Sequence, residues 1–200
     1  MLPELAKTAR CFHAKGDCAE VRMEVFKLIA RHDIKVIVGI RRKIVLVELL
    51  QTARRKGMRL DPDSVYDNLV KTLFKCILHK SERNKIYFAR RGKSSRQAAL
   101  QKAINRAQSN FIRDTGISLV KPTEVIPAFP SEVTCLQVID YILWALQRLY
   151  ERNEDRYFNY LRNHYRLIMD FDDKRNGKDY GMWYTETNPL TKEKMLPTTG

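Results

Sequence analysis

No apolar run in this chain approaches the ~20 residues that a membrane-crossing helix needs, so no membrane span is expected. The four cysteines, Cys11, Cys18, Cys76 and Cys135, form no CxxC pair. Cys11, His13 and Cys18 are three ligands of a zinc knuckle without a fourth. With no leader-like segment ahead of them, reduced thiols in a cytoplasmic protein are the expectation. The histidines His13, His32, His79 and His164 are scattered and make no HExxH, and neither G-x-S-x-G nor G-x-G-x-x-G occurs. Gly92-Lys93-Ser94 matches the end of a P-loop, but Tyr87 stands where its first glycine belongs. These absences argue against a hydrolase triad, a kinase and a dinucleotide site. Internal repeats and low-complexity tracts are also lacking.

Acidic charge is in short supply. Of 200 residues, 37 are Lys or Arg against 23 Asp or Glu, a net charge of +14. That balance favours a polyanionic partner, nucleic acid before anionic membrane, although a well-solvated basic face has the same composition. The basic residues cluster as Arg41-Arg42-Lys43, Arg54-Arg55-Lys56 and Arg90-Arg91-Gly92-Lys93, each closing or following an apolar segment. Clusters at element ends can converge on one surface and grip phosphates, or serve as solubilising edge charges. Arg41, Arg42, Lys43, Arg90, Arg91, Lys93 and the nearby Arg96 are the candidate nucleic-acid contacts. Nothing resembles a base-reading motif, so sequence specificity is not expected.

The 44% hydrophobic content supports one good core and a single domain over residues 1–200. Residues 19–31 place Val21, Val25, Leu28 and Ile29 on one helical face, and β-branched 34–40 suits a buried strand. Residues 44–57 read as a helix stopping at Gly57. Asp61-Pro62 opens another that runs to about Lys80, with Val65, Leu69, Leu73, Cys76 and Ile77 inward. Lys85–Ala89 reads as a strand. Ser94 and Ser95 offer caps for a helix ending near Thr115-Gly116, with Ala99, Ala103, Ala107 and Phe111 on its apolar face. Residues 124–128 are a weaker, edge-like strand because of Pro127. A long helix follows from Pro130-Ser131 to about Arg152, then one over 154–163, then a strand over 166–171. From about Lys174 an irregular tail is expected. Strands alternating with helices indicate an α/β domain with at least partly parallel strands.

Asp140 is the only charged residue between Glu132 and Arg148, in an otherwise apolar helix. A lone carboxylate is costly to bury unless it is paired, hydrogen-bonded or bound to a metal. At helical spacing Leu136, Ile139, Leu143 and Leu146 form an apolar stripe, and Gln137 and Asp140 share the adjacent side. Asp140 therefore reads as facing a cleft, or as pairing with a buried arginine or capping a neighbouring element. Asp170, Asp172 and Asp173 end an apolar run, where carboxylates serve as Mg²⁺ or Mn²⁺ ligands or form a polar turn. An EF-hand is excluded, since counting from Asp172 puts Lys174 third and Trp183 twelfth.

Cys11–Arg22 (CFHAKGDCAEVR), Ile86–Arg96, Pro130–Arg156 and Leu167–Asp173 (LIMDFDD), with LQVIDY at Leu136–Tyr141 the most specific piece, resemble the bacterial family called domain of unknown function 3800. That family is similar to the ribonuclease-H-like superfamily, whose nucleases and transposases use clustered carboxylates and two metal ions. The resemblance implies a ribonuclease-H-like α/β fold with a central mixed sheet flanked by helices. It implies a metal-dependent nuclease acting on phosphodiesters, with Asp140 and Asp170 as catalytic and metal ligands and Asp172 and Asp173 auxiliary. His13 matches a histidine of the family, and Lys43 a lysine after the central strand. Members typically open with a strand bearing an Asp-Glu-Ser-like motif, whereas Met1–Arg10 contains only Glu4. The expectation is a chain without its N-terminal strands and inactive as it stands, or a non-catalytic basic module that a partner or second copy completes at an exposed sheet edge.

Overall fold

The computed structural model describes residues 11–75, 77–90, 96–117 and 121–195. Met1–Arg10, Cys76, Arg91, Gly92, Lys93, Ser94 and Ser95 lie outside the described residues, and with them the expectations placed on those positions.

The periodic segments become helices close to where they are expected: α1 Ala19–Ala30, α2 Lys43–Arg55, α3 Pro62–Lys75, α4 Gln97–Thr115, α5 Thr134–Arg152 and α6 Arg156–Tyr160. The β-branched segments become β1 Val36–Ile40, β2 Asn84–Ala89, β3 Thr123–Ala128 and β4 Tyr165–Asp170. A fifth strand, β5 Met182–Tyr184, lies in the stretch expected to be irregular, because three residues are too few to show an alternation and pairing with β4 orders them. The chain is thus mixed α/β.

Among the described residues two sheets form, of order β1-β4-β5 and β2-β3, where one central sheet was expected. The His164 ring lies against the Ile34 carbonyl, and the Phe171 N–H donates to the Ile40 carbonyl at 3.2 Å, so β1 and β4 run parallel. Arg166 pairs with Glu186 while Gly181 abuts Asp170, so β4 and β5 run antiparallel. In the smaller sheet Asn84, first in β2, donates to the Pro122 carbonyl and to Thr123, first in β3. Both strands therefore start at the same end, and α4 is the crossover that a parallel pair needs.

The residues group into two compact units, interleaved along the chain. Met1–Val36, Ala128–Leu167 and Tyr184–Gly200 make the first; Ile37–Pro127 and Ile168–Trp183 make the second. The second packs α3 beside α4, with Val70, Leu100, Ala103, Ile104 and Ala107 buried together with Leu78, Ile86 of β2 and Val125 of β3. Ala103 and Ala107 were expected inward; Leu100 and Ile104 replace Ala99 and Phe111 as the deepest residues. Helix α3 stops five residues earlier than expected and gives way to a 3₁₀ turn, Leu78–Lys80.

In the first unit the core is aromatic. Phe26 stacks on Tyr157 at 5.3 Å and meets Tyr141 edge-on at 5.5 Å, and Trp144 meets Tyr157 at 4.8 Å. This cluster rotates both helices from the expected faces. On α1, Phe26 and Ile29 are buried while Leu28 is 55% exposed. On α5, Tyr141, Ile142, Ala145 and Leu149 join Leu136 and Leu146 inside, and Ile139 and Leu143 stay exposed. An aromatic ring buries more area and gains more from ring contacts than the aliphatic stripe it displaces. Helix α5 ends at Asn153, whose φ of 55° is the left-handed cap conformation that asparagine tolerates.

Gly181 has φ +81°, and a Cβ there would stand 2.1 Å from the Asp170 carbonyl oxygen and 2.7 Å from the Phe171 Cα. Gly177 has φ +69° and nothing within 4 Å of that position. Gly177→Ala is expected to cost only the left-handed penalty of ~1 kcal/mol. Gly181→Ala must also displace backbone and is expected to cost roughly 2 kcal/mol or more, a fall in Tm of about 4–8 °C. Calorimetry of the two variants checks this; equal losses would show that the close approach is not what selects glycine.

Candidate functional site

Asp140 belongs to the first unit, while Asp170, Asp172 and Asp173 belong to the second. Each set is built from partners in its own unit.

Gln137 and Asp140 share one side of α5, as their spacing requires, and both face the turn that precedes α1. Gln137 Oε1 accepts the Phe12 N–H at 2.9 Å, and its amide donates to the Pro130 carbonyl at 2.7 Å. Asp140 Oδ2 accepts the Ala14 N–H at 2.9 Å. Asp17 accepts the His13 N–H and the Tyr141 hydroxyl. Arg22 donates to the Ala14 carbonyl at 2.8 Å and the Asp17 carbonyl at 2.6 Å, and its guanidinium lies 4.5 Å over the Trp144 ring. Burial and the neighbouring Asp17 carboxylate hold the Tyr141 hydroxyl well above its ordinary titration range, so it stays a donor. The Asp140 charge is thus explained by capping. Its carboxylate fixes a turn whose N–H groups have no helix or strand to satisfy them. The His13 ring, 61% exposed, stands 3.8 Å from the same oxygen.

At the end of β4 the carboxylates meet arginines. Asp170, 1% exposed, pairs with Arg42 Nη2 at 3.1 Å, and its other oxygen accepts the N–H groups of Asp172 and Asp173 at 3.2 Å. Asp172 accepts the Arg42 N–H and lies 3.4 Å from Arg41 Nη1. Because Arg42 caps α2, Asp172 lies against the positive end of that helix. Asp173 is fully buried and takes Arg175 through both carboxylate oxygens, at 2.9 and 2.6 Å. The Arg175 guanidinium holds this carboxyl below the usual range, against the burial that raises it. Arg41 also lines a cavity of about 310 Å³ with Leu69 and Phe171.

No family model, curated protein or solved structure matches the chain. Among the described residues, no group of three or more His, Cys, Asp or Glu side chains is placed to hold a metal ion. Asp170, Asp172 and Asp173 share one turn, yet each is turned to an arginine.

Of the candidate phosphate contacts, Arg41 and Arg42 are committed to Asp172 and Asp170. Arg96 pairs with Asp67 at 2.8 Å and Asp63 at 3.3 Å. Lys43 is exposed at the start of α2, Arg90 is exposed just after β2, and Arg91 and Lys93 lie outside the described residues. The two units differ sharply in charge. The second holds 23 Lys and Arg against 11 Asp and Glu, net +12, and the first 14 against 12, net +2.

Two features escaped the sequence reading. The first is an apolar groove of about 900 Å³ in the first unit, lined by Phe12, Val21, Val25, Leu28 and Val138, residues that the aromatic core leaves outside. The second is a pair of exposed rings, Tyr180 and Trp183, whose centroids lie 5.4 Å apart in the second unit. Two aromatics three apart in a basic, glycine-containing turn were the signal available for that pair.

Asp173→Asn is expected to lower stability at pH 7 by about 1.5–3 kcal/mol, since it removes charged hydrogen bonds to Arg175. A carboxyl depressed in the folded state adds stability that is full above the unfolded value of ~3.9 and is lost as pH falls through the folded value. The gap between wild type and variant should therefore close below about pH 4. Urea titrations from pH 7 to pH 2.5 check this; a gap independent of pH would remove the charge from the explanation.

Proposed function

We propose that the chain is a basic module that grips nucleic acid by its phosphate backbone, mainly through its second unit and with little regard to sequence. The observation that carries this reading is the partition of charge: +12 of the net +14 lies in the second unit. Backbone binding needs such a field and no base-reading element. Resemblance to the domain of unknown function 3800 family supports a ribonuclease-H-like fold for the chain and a phosphodiester as what it meets. Among the described residues β2 and β3 pair without a third strand, which supports completion by a partner chain or a second copy at their edge.

Metal-dependent phosphodiester hydrolysis is the second reading. It is favoured by the place of Asp170 at the carboxyl end of β4 beside parallel β1, the end where open α/β sheets receive ligands. The carboxylates as arranged do not fit Mg²⁺ or Mn²⁺, because Arg41, Arg42 and Arg175 occupy them. Metal binding would require those pairs to open, so the binding module is the better-supported function.

Affinity for a labelled duplex should fall steeply between 50 and 200 mM salt, by roughly 10³-fold for about six phosphate contacts. Lys43→Ala, in the second unit, should lower the slope of log K against log salt by about one if it meets a phosphate. Lys15→Ala, in the first unit, should leave the slope unchanged. Fluorescence anisotropy measures both; a salt-independent affinity, or equal effects of the two variants, would contradict the reading. Cleavage that requires Mg²⁺ and is abolished by Asp170→Asn would establish the nuclease instead.

Asp140→Ala separates a cap from a metal ligand. It is expected to cost about 1–3 kcal/mol, the loss from leaving the Ala14 N–H without its acceptor. That loss should be the same in Mg²⁺ and in chelator. Thermal melts in both conditions check it, and a loss seen only with Mg²⁺ would restore Asp140 as a ligand.

A further inference from the structure

We propose that the β4–β5 hairpin is a stacking platform for an unpaired nucleobase, with Tyr180 and Trp183 as its rings and Lys174 and Lys178 as its phosphate contacts. This rests on the nucleic-acid reading and narrows it to single strands. The rings meet at 60° and are 48% and 40% exposed. A solvated aromatic pair loses the burial that makes such residues stabilising, so it invites a ligand with a flat apolar face.

The hairpin holds the pair in place. The Trp183 indole N–H donates to the Tyr180 carbonyl at 3.3 Å, and Asn176 donates to the Gly181 carbonyl at 2.7 Å. The Lys178 N–H donates to the Asn176 side chain at 3.0 Å, and the Lys174 ammonium donates to the Asp179 carbonyl. At the root, Asp170 and Asp173 tie the turn to Arg42 and Arg175. The rings are therefore preorganised, which lowers the ordering cost of binding. Residues 174–180 are exposed throughout, and the Lys178 ammonium lies 5.4 Å from the Tyr180 ring centre. A cation is thus held over the Tyr180 ring, within reach of the phosphate of a base stacked on the pair. Bases in a duplex already spend their faces on one another, so only an unpaired base can use such a platform.

The test uses the whole chain, a labelled oligothymidylate, and a duplex of the same length. The double variant Tyr180→Ala with Trp183→Ala is expected to weaken oligothymidylate binding by about 5-fold or more at fixed salt, leaving duplex affinity within 2-fold. Saturating oligothymidylate should also quench wild-type tryptophan emission. The quenching should vanish in Trp183→Phe, which retains Trp144 beside Arg22 and Arg148 and keeps a ring able to stack. Unchanged wild-type emission on saturation overturns the platform even if the double variant does not fold. So does an equal loss of single-strand and duplex affinity. Binding of the duplex with none of these single-strand effects leaves the backbone-binding module standing alone, whereas failure to bind either nucleic acid at low salt overturns both.

Discussion

The Asp170–Arg42 pair is the interaction on which the second unit's sheet end depends. A carboxylate with almost no exposed surface needs donors on every lone pair. Asp170 finds them in a guanidinium from the far end of β1 and in two backbone N–H groups of its own turn. The pair thereby fixes where β4 stops, how the turn leaves it, and where α2 starts. Breaking it would strand a charge in the interior, which costs far more than the pair contributes when intact. Asp172 and Asp173 extend the same logic outward, each binding a cation that would otherwise repel its neighbours in a strongly basic unit.

That arrangement changes what an acidic cluster means. Carboxylates gathered at a strand end are the raw material of a metal centre, but the same residues also neutralise arginines that a basic surface brings too close together. The deciding quantity is the number of cations per carboxylate, and in the second unit cations are in excess. Arg41 and Arg42, candidate phosphate contacts by their sequence, pair with Asp172 and Asp170, whereas Lys43 and the lysines of the β4–β5 turn are exposed.

Element boundaries were largely legible because their signals are local: Asp61-Pro62 at the start of α3, Gly57 after α2, the β-branched run of β1. The shared side of Gln137 and Asp140 was legible for the same reason. Partners were not. Asp140 meets Ala14 across 126 positions, and Asp172 meets Arg42 across 130, separations that leave no trace in composition or period. The buried faces of α1 and α5 were misjudged because both helices are apolar on more than one side. The choice fell to Phe26, Tyr141 and Tyr157, whose mutual contacts exist only once the helices have met. Strand β5 depends on β4 for its order and so could not declare itself in three residues.

The interleaving of the two units has a consequence for synthesis. The second unit gathers most of its residues from one early stretch, Ile37–Pro127, and its α3–α4 core is complete once α4 and β3 have left the ribosome. The first unit must wait. Tyr184 and Leu190 are buried in it, and Lys192 binds Asp155 at 3.0 Å, so it cannot close until the segment from Tyr184 to Lys192 has been made. Phe26 meanwhile stays uncovered until Tyr141 and Tyr157 have been made, the state in which nascent chains aggregate. A pause in translation between β3 and Tyr184 would therefore harm the first unit more than the second.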